Sequence, residues 1–157
     1  MKRKYFLVVL FLILVIFLSG CSGGGIVTPS INLTSNWTMT NTTTYTSSPL
    51  IADVGAVTTS KCNIIDNSGA LTIYSFRIIG QEYINWNVGY GTRSNKNIAM
   101  NISGSYLNIY GSTVSLMIYF EGNINADGIS GSGSWTETIS VYGYSDYASG
   151  NTIFIKG

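Results

Sequence analysis

Apolar and polar residues alternate along most of the chain after residue 30, and this period of two is the pattern of β-strands that bury one face. Residues 74–78 show it first, since Tyr74, Phe76 and Ile78 are apolar and the residues between them are polar. The same alternation recurs at Ile84, Trp86 and Val88, at Ile98, Met100 and Ile102, at Val114, Leu116, Ile118 and Phe120, near Ile139 and Val141, and near Ile153 and Ile155. We therefore predict an all-β domain of about eight to ten antiparallel strands, with no helix after residue 30.

Residues that favour turns separate these segments. The predicted turns lie at residues 66–69, 89–95, 103–105, 127–128 and 145–151. Both of the 2 prolines precede residue 50, so the later strands contain none of the residues that interrupt a hydrogen-bonded ladder. An up-and-down meander of this length either closes into a barrel or folds as a two-sheet sandwich.

The segment Leu33-Thr34-Ser35-Asn36-Trp37-Thr38 resembles the first strand of lipocalin-like and avidin-like barrels. In those barrels a tryptophan on strand one plugs one end, and lipocalins have a glycine where this chain has Ser35. The segment 122–131, followed by Trp135, is similar to the late hairpins of such barrels. The resemblance favours a lipocalin-like barrel over a β-sandwich and implies that Trp37 is a core plug, but it implies no ligand-binding residues.

The first residues have the pattern of an export signal. Three basic residues at positions 2–4 precede the apolar run 5–18, which is shorter than the roughly 17 to 25 residues of a membrane span. Leu18-Ser19-Gly20-Cys21 follows and resembles the lipobox of prokaryotic lipoproteins. An ordinary secreted protein or an N-terminal anchor helix is the alternative.

The lipobox resemblance implies that Cys21 receives a lipid and becomes the new N-terminus. We expect a signal peptide at 1–20, the lipidated cysteine with a flexible Gly-rich tether at 21–30, and a single β domain at 31–157. The protein is then anchored to a membrane and extracytoplasmic. It lies on the periplasmic face of an outer membrane or on the outer face of a cytoplasmic membrane.

Charge and composition exclude several function classes. The chain has 8 basic and 7 acidic residues, and without the leader five basic residues face seven acidic ones, so we expect no nucleic-acid partner. The absence of histidine excludes a Ser-His-Asp triad, a Cys-His pair and any histidine-ligated metal. Once Cys21 carries lipid, Cys62 has no disulfide partner, and we interpret it as a small buried residue. No cofactor and no metal are expected.

Two acidic motifs could indicate glycoside hydrolysis or calcium binding, but ordinary structural roles explain both. Glu121 and Glu137 flank a predicted hairpin, and paired carboxylates across a cleft hydrolyse glycosides; we expect both instead to face solvent. The motif Asn123-x-Asn125-x-Asp127-Gly128 matches the first half of a calcium loop but lacks its bidentate glutamate. A turn at Asp127-Gly128 explains this motif.

Tyrosines beside Gly- and Ser-rich segments are the candidate binding residues. They are Tyr90, Tyr142, Tyr144 and Tyr147, because rigid amphipathic rings provide contact area at little entropic cost. We expect a non-enzymatic binding or structural module of the cell envelope whose partner is an envelope protein, a glycan or a small apolar ligand. The alternative is a calycin-like barrel with a small apolar ligand inside, and a carboxylate-dependent hydrolase is a remote third.

Overall fold

Nine antiparallel strands account for most of the residues that the computed structural model describes, which are 31–48 and 52–157. The predicted signal peptide, Cys21 and the tether lie outside these residues. The strands are β1 (Ser35–Thr46), β2 (Val57–Asn67), β3 (Ala70–Ile78), β4 (Asn85–Trp86), β5 (Gly89–Ser94), β6 (Asn97–Leu107), β7 (Thr113–Ile124), β8 (Ser130–Val141) and β9 (Tyr144–Lys156). Within the described ranges there is no helix, and hence none that is long and apolar enough to cross a membrane.

The strands close into an up-and-down barrel. Each strand pairs with its neighbours in the chain, and the β1–β9 ladder joins the first strand to the last. The short strand β4 and strand β5 pair with successive parts of β6, so they form one strand interrupted at Asn87 and Val88. Counting β4 and β5 as one, the barrel therefore has eight strands, which confirms the predicted all-β meander and the preference for a barrel over a sandwich.

Three of the predicted turns are wrong because they lie inside strands. Residues 89–94 form β5, 103–105 lie in β6, and 145–151 lie in β9. The glycines there make room for neighbours instead of bending the chain. A Cβ on Gly104, for example, would lie 2.6 Å from Cε3 of Trp86.

Strand β9 buries the opposite face from the one that the alternation predicts, and a bulge in β3 moves one predicted core residue to the outside while Phe76 and Ile78 are buried as predicted. Ser75 has φ 51° and forms a bulge in β3, which shifts the phase so that Phe76 is buried while Tyr74 is exposed. In β9 the buried residues are Thr152 and Phe154, and the neighbouring isoleucines Ile153 and Ile155 lie on the outer wall. In the strand predicted at 84–88, only Asn85–Trp86 is extended, and Val88 is exposed.

Aromatic side chains fill the middle of the barrel. Phe76 contacts Trp86 edge-on, with ring centroids 4.7 Å apart, and Phe120 lies 6.2 Å from Phe76 and 6.3 Å from Phe154. Beside these rings Asn41 donates to Ser60 Oγ at 3.1 Å and accepts from Thr152 Oγ1 at 2.7 Å. These three buried polar side chains therefore bond one another inside the barrel.

One end of the barrel, called the base, is sealed. The segment 31–34 crosses it, and Leu33 is fully buried there. The Trp37 indole N–H donates to the Leu33 carbonyl oxygen at 2.7 Å, and the Leu33 backbone N–H donates to Asp66 at 3.1 Å. The turns β2–β3, β5–β6 and β7–β8 lie at this end. Trp37 thus occupies the plug position that the barrel resemblance implies.

The opposite end, called the mouth, is formed by the other four connections. These are residues 47–56 between β1 and β2, of which 47–48 and 52–56 are described, 79–84 between β3 and β4, 108–112 between β6 and β7, and Tyr142-Gly143 between β8 and β9. No described segment crosses the mouth in the way that 31–34 crosses the base. The two ends of the barrel therefore offer different surfaces to a partner.

Candidate binding site at the barrel mouth

Large apolar and aromatic side chains are exposed around the mouth. Ile109, Tyr110 and Tyr144 are each more than four-fifths exposed, at 92%, 83% and 81%. Other exposed side chains at this end are Val54, Val57, Ile79, Tyr83, Leu107 and Tyr142. Exposed apolar surface on several adjoining loops is typical of an interaction site.

Glu137 faces the inside of the barrel near the mouth. On β8 it shares its face with the buried Trp135, and its strand partners are Ile118 on β7 and the buried Ala148 on β9. Burial raises the pKa of Glu137 from 4.5 to about 7, because no donor or cation stabilises the ionised carboxylate there. The expectation that Glu137 faces solvent is therefore wrong, whereas it holds for Glu121 on the outer wall. The two carboxylates lie on opposite faces of the wall and form no hydrolytic pair.

Two tyrosines pack against each other at the mouth, and the charge of Glu137 acts on one of them. Tyr83 from the β3–β4 connection packs edge-on against Tyr106 at the end of β6, with ring centroids 5.1 Å apart. Partial burial, followed by the Tyr106 hydroxyl and the Glu137 carboxylate, raises the pKa of Tyr83. The influence of Glu137 on Tyr83 places both groups in one electrostatic environment.

Two indole N–H groups below the mouth have no hydrogen-bond acceptor. They belong to Trp86 and Trp135, and both nitrogens are inaccessible to water. Trp135 is 5% exposed and pairs across the ladder with Phe120. A buried donor without an acceptor costs about 1–3 kcal/mol, so these groups would gain from a ligand acceptor.

The four tyrosines predicted from the sequence are divided between two places. Tyr142 and Tyr144 lie on the rim of the mouth in the β8–β9 hairpin, and Tyr147 stacks outside the barrel on Tyr45 with centroids 5.2 Å apart. Tyr90 is exposed on the outer wall of β5, away from this hairpin. The structure thus brings three of the four to the β8–β9 side of the barrel.

Tyr142 has a backbone conformation that is unusual for an aromatic residue. It has φ 53° and, with Gly143 at φ 81°, forms the two-residue turn that joins β8 to β9. Its hydroxyl contacts the Ser112 hydroxyl on the neighbouring β6–β7 connection. This contact links two of the connections that form the mouth.

The remaining sequence candidates have structural roles. Cys62 is buried, and burial raises the pKa of its thiol to about 12, which keeps it protonated. Asp127 accepts hydrogen bonds from the Ile129 and Ser130 backbone N–H groups and the Ser130 hydroxyl, so it closes a turn as expected. Among the described residues no three acidic or cysteine side chains are grouped as metal ligands would be.

Sequence reasoning named Glu137 but assigned it to the solvent-facing side, and it did not single out Tyr83, Tyr106 or the unpaired indole N–H groups of the two tryptophans. The signal for Glu137 was present, since it occupies the same phase as Trp135 and Ile139 in β8. A glutamate in the apolar phase of a strand predicts an inward carboxylate. The pairing of Tyr83 with Tyr106 depends on how the barrel closes and has no local signal.

Comparisons with known proteins add no relative. No protein-family model matches the chain, and no curated protein or solved structure matches it.

Proposed function

We propose that the chain is a lipid-anchored, non-enzymatic binding module of the cell envelope, and that it binds its ligand at the mouth of the barrel. The observation that carries this proposal is the contrast between the two ends. Leu33 and Trp37 seal the base, whereas exposed aromatic loops surround the inward Glu137 at the mouth.

The packing of the interior favours the mouth over the barrel centre as the binding place. Phe76, Phe120 and Phe154 contact one another through the middle of the barrel, so the rings themselves occupy the volume that a calycin-like ligand would need. A ligand held above this aromatic layer still reaches Tyr83 and Glu137.

The lipid anchor is supported by the lipobox sequence Leu18-Ser19-Gly20-Cys21. In this proposal Cys21→Ala abolishes incorporation of radioactive palmitate or glycerol, because no other thiol lies near the cleavage site. Full labelling of this variant would contradict the lipobox interpretation.

Ligand binding at the mouth is tested with a small-molecule screen that follows thermal unfolding. A ligand that binds the folded state raises the unfolding temperature, and the rise increases with its concentration. We expect ligands whose effect is lost in the double variant Tyr110→Ala/Tyr144→Ala and is retained in Tyr90→Ala, the matched change on the outer wall. Ligands that stabilise all three proteins equally would show that the mouth is not the binding surface.

A further inference from the structure

We propose that the mouth recognises a small organic cation, an amine or quaternary ammonium compound that also carries a hydrogen-bond acceptor, with Glu137 as its counter-charge. This inference rests on the proposed function, that the mouth binds a ligand, and names the chemical class of that ligand. It follows from a carboxylate, two donors and a charge distribution that the fold leaves uncompensated.

Glu137 is an inward carboxylate without a partner. Its neighbours across the ladders, Ile118 and Ala148, are apolar, and no described residue donates a hydrogen bond to it or forms an ion pair with it. An ionised group held away from water is stabilised by a charge of opposite sign. A cationic ligand supplies that charge, and a neutral apolar ligand would remove still more water from the carboxylate.

The charges around the mouth have the sign that attracts a cation. Its described connections and strand ends carry the carboxylates of Asp53, Glu82, Glu137 and Asp146, against Arg77 and its ladder partner Lys61. The Gly80 backbone N–H and, to a lesser extent, the charge of Arg77 lower the pKa of Glu82, whereas burial alone shifts the pKa of Glu137. Asp146 accepts a hydrogen bond from Ser47 at the rim. A negative mouth raises the local concentration of a positive ligand.

Aromatic rings and unpaired donors define the rest of the ligand. Tyr83 and Tyr106 present electron-rich rings at this end, and such rings attract organic cations. Trp86 packs on Phe76, and Trp135 lies opposite Phe120 in the aromatic layer below. The indole N–H groups of Trp86 and Trp135 have no acceptor, and Trp135 faces inward two residues before Glu137. Because both nitrogens are inaccessible to water in the free protein, a hydroxyl or carbonyl oxygen on the ligand satisfies one of them only after the side chains that cover it have shifted.

Choline is a suitable probe, because it combines a quaternary ammonium group with a hydroxyl. The control ligand is its neutral isostere, in which a tert-butyl group replaces the trimethylammonium group. The full chain is purified in detergent and titrated with each compound, while nuclear magnetic resonance follows the three indole N–H signals. Trp37 at the base is the internal control for the two tryptophans near the mouth.

We expect choline to shift the signals of Trp86 and Trp135 saturably and to leave that of Trp37 in place. The neutral isostere binds about tenfold more weakly or worse, and Glu137→Gln weakens choline binding by a similar factor. Glu121→Gln, a matched change on the outer wall, leaves choline binding unchanged. An unmoved Trp37 signal in Glu137→Gln shows that this variant is folded.

Three results would overturn the inference. If the isostere binds as tightly as choline, the mouth binds ligands without using charge, and the proposed function stands while the cation class does not. If Glu137→Gln binds choline as well as the wild type, the counter-charge is misassigned. If choline shifts no indole signal, the cation class is wrong, and the proposed function is then decided by the ligand screen with its tyrosine variants.

Discussion

Arg93 on β5 donates its Nε–H to Asp66 Oδ2 on β2 at 2.6 Å, across the intervening strand β3. The Asp66 side chain is 1% exposed, and it also accepts from the backbone N–H groups of Leu33 and Gly69. One carboxylate thus joins the segment that crosses the base, the β2–β3 turn and β5. Burial alone would raise the pKa of Asp66, but the bonds from Arg93, Gly69 and Leu33 outweigh it and lower the pKa.

Removing Arg93 should strongly lower the free energy of unfolding, because its partner Asp66 holds the base together. Arg93→Ala leaves the buried Asp66 carboxylate without its cation, and breaking a buried pair in this way costs roughly 3–5 kcal/mol. Urea denaturation measures the loss. The control is the exposed Arg77→Ala, whose free energy of unfolding should stay within about 0.5 kcal/mol of the wild type. Equal stability of the two variants would contradict this role for the pair.

The same pair makes stability depend on pH. Because the folded-state pKa of Asp66 is lowered, the stabilisation is present above pH ~4 and is lost as the pH falls through that folded-state value.

Trp37 should matter far more for stability than the rim of the mouth. Trp37→Ala removes a side chain that is 2% exposed and leaves a cavity at the base, at a cost of roughly 3–5 kcal/mol. Tyr144→Ala removes a ring that is 81% exposed and should change the free energy of unfolding by about 0.5 kcal/mol or less. Chemical denaturation compares the two. Small and equal losses would mean that Trp37 does not plug the barrel.

The turn at Tyr142 should become more stable with a smaller residue. Positive φ favours asparagine over an aromatic side chain, so Tyr142→Asn should raise the free energy of unfolding by about 1 kcal/mol. Ser68→Asn is the matched change in the β2–β3 hairpin, where Ser68 has φ 53° and is followed by Gly69. A gain at Ser68 together with a loss at Tyr142 would show that the contact with Ser112 outweighs the turn conformation.

Glu137 should make the protein less stable as the pH rises. Its pKa is about 7 in the folded state and near 4.5 when exposed, so between these values the folded chain binds more protons than the unfolded chain. Stability therefore falls from pH ~4.5 to pH ~7, by about 3 kcal/mol in total. Glu137→Gln should remove this slope and be the more stable protein above pH 7. Parallel stability curves for the variant and the wild type between these pH values would show that Glu137 is solvated.

The sequence predicts the fold better than the site, for a physical reason. Val114, Leu116, Ile118 and Phe120 alternate in sequence and are all buried, because strand periodicity is a local property. The bulge at Ser75 and the inward glycines such as Gly104 depend on what packs against them across the barrel. The sequence therefore predicts strands correctly where no such feature intervenes, and it misplaces several turns, the phase of β9 and the side of the wall on which Tyr74 lies.

The part of the site that local sequence determines could be predicted, and the part that depends on long-range packing could not. Tyr142 and Tyr144 lie on the mouth because a hairpin turn carries them to an end of the barrel, and a turn is visible in the sequence. The Tyr83–Tyr106 pair and the proximity of Glu137 to Tyr83 arise only when β3, β6 and β8 close around one axis. Contacts between strands distant in the chain need the three-dimensional fold.

The ladder between β1 and β9 sets the order in which the chain can acquire its structure. Every other ladder joins neighbouring strands, whereas this one pairs Trp37 with Lys156 and brings together residues more than a hundred positions apart. Until β9 is available, the growing meander has two free edges, and free edges are templates for pairing with other chains. A chain synthesised from its N-terminus therefore stays open and prone to aggregation until its last strand has been made. Chaperones that cover β1 during that interval would increase the yield of closed barrel.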